Sequence, residues 1–182
     1  MEINMKLYKI DELNEYAQRQ AYNSYLLDET YTKNIYELFE DFIDKLNKLY
    51  KINVKINLET ILNEYDFNPF KPEKIFFSIS NIEKYIEVDI PEKLDINEIY
   101  QKGDFYSLTG VYVDAVFVEH FIDANDDTDV NELILTGIKD VFQEFKHQIK
   151  EHTSFNHFIY FLCECNNYLF TKTGTRITEK DY

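Results

Sequence analysis

Two apolar stripes at helical spacing constrain this chain more than any other feature. Ile35, Leu38, Phe39, Phe42, Leu46 and Leu49 keep to one face of a 3.6-residue turn, and so do Ile134, Ile138, Val141, Phe142, Phe145 and Ile149. The spacing predicts helices over Thr32–Tyr50 and Asp129–Lys150. A third, Asp11–Leu27, follows from Leu13, Ala17, Ala21 and Ser24, with Asp11 as its N-cap. Its face is built of small residues, which lets another element approach the backbone closely. A fourth, Ser154–Asn166, begins at a capping serine and carries Phe155, Phe158, Ile159 and Leu162.

Strand signals lie at the ends and in the middle of the chain. Met5–Ile10 alternates as a short strand. Lys74–Ser80 and Tyr85–Ile90 read as two strands joined by a turn near Asn81–Lys84, and Val111–Phe117, β-branched and aromatic, as another. Leu58–Tyr65 reads as a further short helix and Leu94–Tyr100 as a helical turn or irregular chain. At the end, Tyr168–Thr171, a Lys172-Thr173-Gly174 turn and Thr175–Thr178 form a hairpin, with glycine where φ must be positive. Gly and Pro together number only seven, which leaves little material for linkers. The expectation is α+β: one domain, 1–182, with about four main helices packed on a mostly antiparallel sheet and a C-terminal hairpin. Its core should contain Leu13, Ala17, Phe39, Phe42, Ile138, Val141, Phe145 and Phe158.

No motif of catalysis or metal binding is complete. Asp123-x-Asn125-x-Asp127 opens like an EF-hand loop, but Thr128 stands where the loop needs Gly and Ile134 where it needs Glu. His147, His152, His157, Cys163 and Cys165 are close in sequence, yet steps of five residues rotate around a helix and do not stack ligands on one face. Gly103-Asp104 belongs to neither a Gly-x-Gly-x-x-Gly nor a Walker loop. The expectation is a protein without catalytic site, cofactor or metal. Two cysteines one residue apart cannot staple distant segments, no signal-peptide pattern opens the sequence, and no apolar run approaches the ~18 residues of a membrane span. A cytoplasmic protein, without a membrane partner, is expected.

Charge narrows the choice of partner. The formal net charge is −15, and residues 83–132 hold 14 acids against 3 bases, a net −11. Residues 1–82 are at −4 and residues 133–182 at zero. Phosphates would be repelled by the central segment, so direct nucleic-acid binding is disfavoured and a basic protein partner favoured. The partner-binding candidates are Asp123, Asp126, Asp127, Asp129 and Glu132, then Asp104, Glu119 and Asp95. Their role would be electrostatic, pairing with Arg and Lys of the partner.

Three stretches carry a family resemblance. Asp11-Glu12-Leu13-x-x-x-Ala17-x-x-x-Ala21 resembles the Asp-Glu-Leu-Ser-x-x-Ala-Lys-x-x-Ala opening of a broad group of small proteins of phages and mobile elements. Gln101-Lys-Gly-Asp-Phe-Tyr-Ser-Leu-Thr-Gly110 resembles that group's Gln-Gly-Asp-Gly-x-Ser-Phe-x-Gly signature, with Lys102 inserted and Phe105 in place of the second Gly. Tyr168–Ile177 resembles its closing Phe-Thr-x-Asp-Gly hairpin; the acidic run at 123–129 is not part of the pattern. Members are described as antitoxin-like or as phage proteins. Length, acidity and a Lys/Asn/Ile/Tyr-rich composition are also similar to those of type II-A anti-CRISPR proteins, which inhibit Cas9. That likeness implies a cytoplasmic counter-defence protein of an infected bacterium that binds Cas9, with or without guide RNA, and blocks target DNA by DNA mimicry, since Cas9 holds nucleic acid in basic channels. The alternative it leaves open is an antitoxin-like protein that neutralises a toxin, or another counter-defence binder.

Overall fold

The computed structural model describes residues 6–27, 30–57, 60, 77, 79–91, 94, 99, 113–122 and 128–178. They fall into two compact units, Met1–Tyr31 with Gln148–Tyr182, and Thr32–His147. Among the described residues, helices and one antiparallel strand pair make up the regular structure.

The first unit brings an early stretch of chain together with a late one. A 3-10 turn, Ile10–Glu12, is closed by the Glu12 carboxylate, which accepts the Lys9 backbone N–H at 2.7 Å. Helix α1, Glu15–Leu27, starts later than the spacing suggested. Asn14, not Asp11, caps it, its Oδ1 accepting the Ala17 N–H at 2.9 Å. Ala17 and Ala21 are buried together with Ile10, Leu13, Phe158, Ile159, Cys163 and Phe170. The expected small-residue face therefore has an occupant. Gly174, at φ +88°, lies so close to α1 that a Cβ there would overlap the Ala17 carbonyl oxygen and stand 3.2 Å from the Ala21 nitrogen. Its positive φ and this approach both require glycine.

Around that contact the late segments close. Phe170 bridges Tyr8 on one side and Arg176 on the other, with Tyr8 and Phe170 exchanging N–H···O bonds of 2.9 Å. The expected terminal hairpin is thus formed, and Tyr8 adds a short extended stretch to it. Ser154 caps the last helical segment, its Oγ accepting the His157 N–H at 3.1 Å. The segment widens into a π-helix over His157–Cys163. Tyr22 and Tyr25 of α1 donate their hydroxyls to the Thr153 and His152 carbonyls, at 2.5 and 3.0 Å. Tyr25 also stacks on Phe158 at 5.1 Å.

The second unit is an aromatic core between two long helices. Helix α2, Thr30–Tyr50, and helix α3, Val113–Glu119, meet at Phe42 and Phe117, with ring centroids 5.4 Å apart. Helix α4, Val130–His152, contributes Phe142 and Phe145, at 5.8 and 6.0 Å from Phe39. All four of Phe39, Phe42, Phe142 and Phe145 are wholly buried, as are Ile138 and Val141. Lys51 ends α2 with φ 60° and donates its N–H to the Asn47 carbonyl at 3.0 Å, a left-handed C-cap. The chain then runs into β1, Asn53–Ile56, which pairs antiparallel with β2, Ile86–Asp89, setting Val54 opposite Val88 and Lys55 opposite Glu87.

The middle of the chain corrects the sequence reading. Val113–Phe117, within the expected strand Val111–Phe117, is helical. Val113, Asp114, Ala115, Phe117 and Val118 are all buried, so this short helix is enclosed on almost every side. A helix buried all round has no polar face to reveal its period, and its valines then read as a strand. Nor is β2 paired through a turn at 81–84. Asn81 accepts the Glu83 N–H at 3.1 Å and caps a 3-10 turn, Ile82–Tyr85. Phe77 and Ile79 of the expected strand Lys74–Ser80 are buried outside any strand, and the described sheet has two strands. Most of Leu58–Tyr65 and Leu94–Tyr100, and all of Gln101–Gly110, lie outside the described residues.

Replacing Gly174 with Ala is expected to cost at least about 2 kcal/mol, because the new methyl meets backbone and the φ is unfavourable. Asn14→Ala should cost only about 1 kcal/mol, the value of one cap. Denaturant unfolding of the two variants would compare them, and equal losses would contradict the close packing of hairpin on helix.

Candidate functional site

Of the acidic candidates, Asp129 and Glu132 are brought together. Asp129 precedes α4 and its Oδ1 accepts the Asn131 and Glu132 N–H groups, at 2.9 and 3.4 Å. Glu132 follows in the first turn, where the positive end of the helix favours an acid. Both are exposed, and neither is ion-paired among the described residues. One capping job and one dipole interaction account for part of what they do, but two uncompensated carboxylates still face solvent.

Glu119 is exposed at the C-terminal end of α3, where helix geometry disfavours an acid. Next to it, His120 Nε2 stands 3.1 Å from Asp140 Oδ2. Glu83 is already neutralised by Lys139 at 2.8 Å, and that carboxylate raises the lysine pKa. Among the described residues Glu119, Asp129 and Glu132 thus have no ion-pair partner, unlike their neighbours Glu83 and Asp140. Asp95, Asp104, Asp123, Asp126 and Asp127 lie outside the described residues. Asp114, a fully buried carboxylate in α3, was not among the sequence candidates, the stretch having been read as a strand.

The histidines and cysteines of the late segment occupy a different setting from the one their spacing suggested. His152 ends α4 and His157 opens the π-helix; the helix breaks between them at Thr153 and Ser154. Spacing along a single helix therefore no longer applies, and the two rings meet edge to face at 4.3 Å. His157 also stacks on Phe161 at 4.9 Å, and its Nε2 is buried without a hydrogen-bond partner. Desolvation and the neighbouring His157 lower the His152 pKa. Burial pushes the Cys163 thiol up to about 12, which keeps it protonated and a poor nucleophile or ligand. Cys165 is exposed. No group of three or more His, Cys, Asp or Glu among the described residues is arranged to hold a metal, and no described helix is long and apolar enough to cross a membrane.

No protein-family model, curated protein or solved structure matches this chain.

The His152 shift has a definite sign. A histidine whose pKa falls on folding from its ordinary 6.5 is protonated first in the unfolded chain. Stability is expected to be lost as pH falls below about 6.5, levelling off below the lowered folded value. His152→Gln should flatten that part of the profile, which denaturant midpoints measured across the pH range would show.

Proposed function

We propose that this chain is a non-enzymatic inhibitor that binds Cas9 and blocks its access to target DNA through an acidic surface. The observation that carries the reading is the concentration of charge, 14 acids against 3 bases in residues 83–132. Exposed and unpaired Glu119, Asp129 and Glu132 support it from the described part of that segment. The three-part resemblance to small phage and mobile-element proteins, and the likeness to type II-A anti-CRISPR proteins, point to the same class of partner. Cas9 keeps guide and target in positively charged channels and reads its PAM with arginines. Carboxylates presented on a folded surface can occupy such a channel in place of phosphates, which follow one another every ~1.7 Å along a duplex axis. Asp123, Asp126 and Asp127, with Asp104 and Asp95, belong to the same acidic stretch of sequence.

Such binding is electrostatic in origin, so it should weaken as salt rises and the Debye length falls below ~8 Å. A pull-down with Cas9, with and without guide RNA, tests the partner. Reversing Asp123, Asp126, Asp127 and Asp129 to Lys tests the surface: binding should fall at least about tenfold, while folding loses only about 1 kcal/mol for the Asp129 cap. A reversed variant that still binds Cas9 as the parent does, at every salt concentration, would move the contact elsewhere.

A further inference from the structure

We propose that a cleft on the first unit is a binding site for a small zwitterionic amine, of the class of a free α-amino acid with an apolar side chain. The cleft has a volume of about 200 Å³ and lies between the Lys9–Asp11 entry and the chain that leaves the π-helix at Cys163–Tyr168. That volume is below the roughly 300–1,000 Å³ of pockets for drug-sized ligands, so its occupant is small.

The lining sorts into three kinds of group. Ile10 and Cys163, 2% and 3% exposed, form an apolar base, and the thiol there is uncharged. Asp11 and Glu164 supply two carboxylates, and Lys9 supplies an ammonium. All three charged residues are exposed, and none forms an ion pair with another or with any described residue. Charges of both signs around one cleft would ordinarily neutralise each other directly. Unpaired with one another, they suit a ligand that carries both signs itself. Its ammonium would meet Asp11 and Glu164, its carboxylate Lys9 with the Asn167 amide, and its side chain the apolar base.

The walls are fixed by the Schellman-type C-cap that ends the last helical segment. Asn167 is held at φ 51°, a left-handed conformation that turns the chain back after the helix. The Tyr168 N–H then bonds the Cys163 carbonyl at 3.0 Å, across a five-residue step. On the Tyr168 ring sits the Arg176 guanidinium, 3.6 Å from the centroid. A π-helical turn beside a cleft is also a frequent companion of binding sites. Because the charges are at an exposed rim, each contributes little, and a dissociation constant on the order of 1 mM is expected.

The full-length chain, labelled with ¹⁵N, would be titrated with L-leucine and with its two halves, isopentylamine and 4-methylpentanoate. L-leucine should shift the amides of 9–11 and 163–168 saturably, and each half should bind at least about tenfold more weakly. Lys9→Gln should remove the advantage over isopentylamine; Asp11→Asn with Glu164→Gln should remove the advantage over 4-methylpentanoate. All three residues are exposed, so the variants should keep the parent's dispersed spectrum. No saturable shift up to about 50 mM, or isopentylamine binding as tightly as L-leucine, would overturn the proposal. So would leucine binding unchanged in the variants.

Discussion

The first unit depends on one backbone-to-backbone contact. Gly174 sits on α1 where Ala17 and Ala21 leave the helix bare, and neither partner can carry a larger side chain without separating the two. The contact holds the C-terminal hairpin, the hairpin holds Phe170 against Tyr8, and Phe170 completes the cluster around Ile10, Leu13 and Phe158. The tyrosine hydroxyls of α1 then tie down the carbonyls at the helix break. Nothing in that list is a large apolar side chain from α1 itself. Close approach at Ala17 and Ala21, with the rings of Tyr22 and Tyr25 laid against Phe155 and Phe158, is how a helix without buried large aliphatic side chains can still organise a core.

The second unit is built in the opposite way, from bulk. Phe39, Phe42, Phe117, Phe142 and Phe145 meet ring to ring, and Lys146 reaches across Phe142 to donate to the Ile79 carbonyl at 2.6 Å. Gly137 serves this packing by absence: a Cβ would stand 2.8 Å from Phe117 Cδ2. Helix α4, which carries Phe142 and Phe145, begins at the exposed acidic cap of Asp129, so Asp129 and Glu132 stand on a helix whose opposite face is held in the core.

What could be read from the sequence follows from where polar residues mark a boundary. The stripes of α2 and α4 alternate with solvated acids and lysines, and their helices and most of their buried faces were legible, from Phe39 to Phe145; Leu49, read as part of the α2 stripe, is exposed and Tyr50 is buried beside it. Gly174 was legible as a turn glycine, and the small face of α1 as a place of close approach, but not that each is the other's partner. Helix α3 was not legible, because its enclosure removes the polar face by which a period is recognised. Asn53–Ile56 was passed over because four residues give too little alternation, and its partner lies a long way on in the sequence. The meeting of His152 and His157 depends on a helix break that shifts their angular relation. Among the acidic candidates, exposure of Asp129 and Glu132 was foreseeable from capping chemistry, whereas the unpaired state of Glu119 depends on which neighbours already have partners.

The first unit joins residues that the ribosome delivers far apart in time. Helix α1 emerges early, but the hairpin and π-helix that cover Ala17 and Ala21 belong to the last stretch of chain. At about 5–20 residues per second, that delay is about 8–30 s, far longer than a helix needs to form. During it α1 has no core to join, and its residues gain nothing from their small face. The second unit, drawn from the intervening chain, can assemble in the meantime, and closing the long loop between the ends costs only slowly growing entropy. The first unit therefore closes only after both of its stretches have been made, with the chain between them free to fold first.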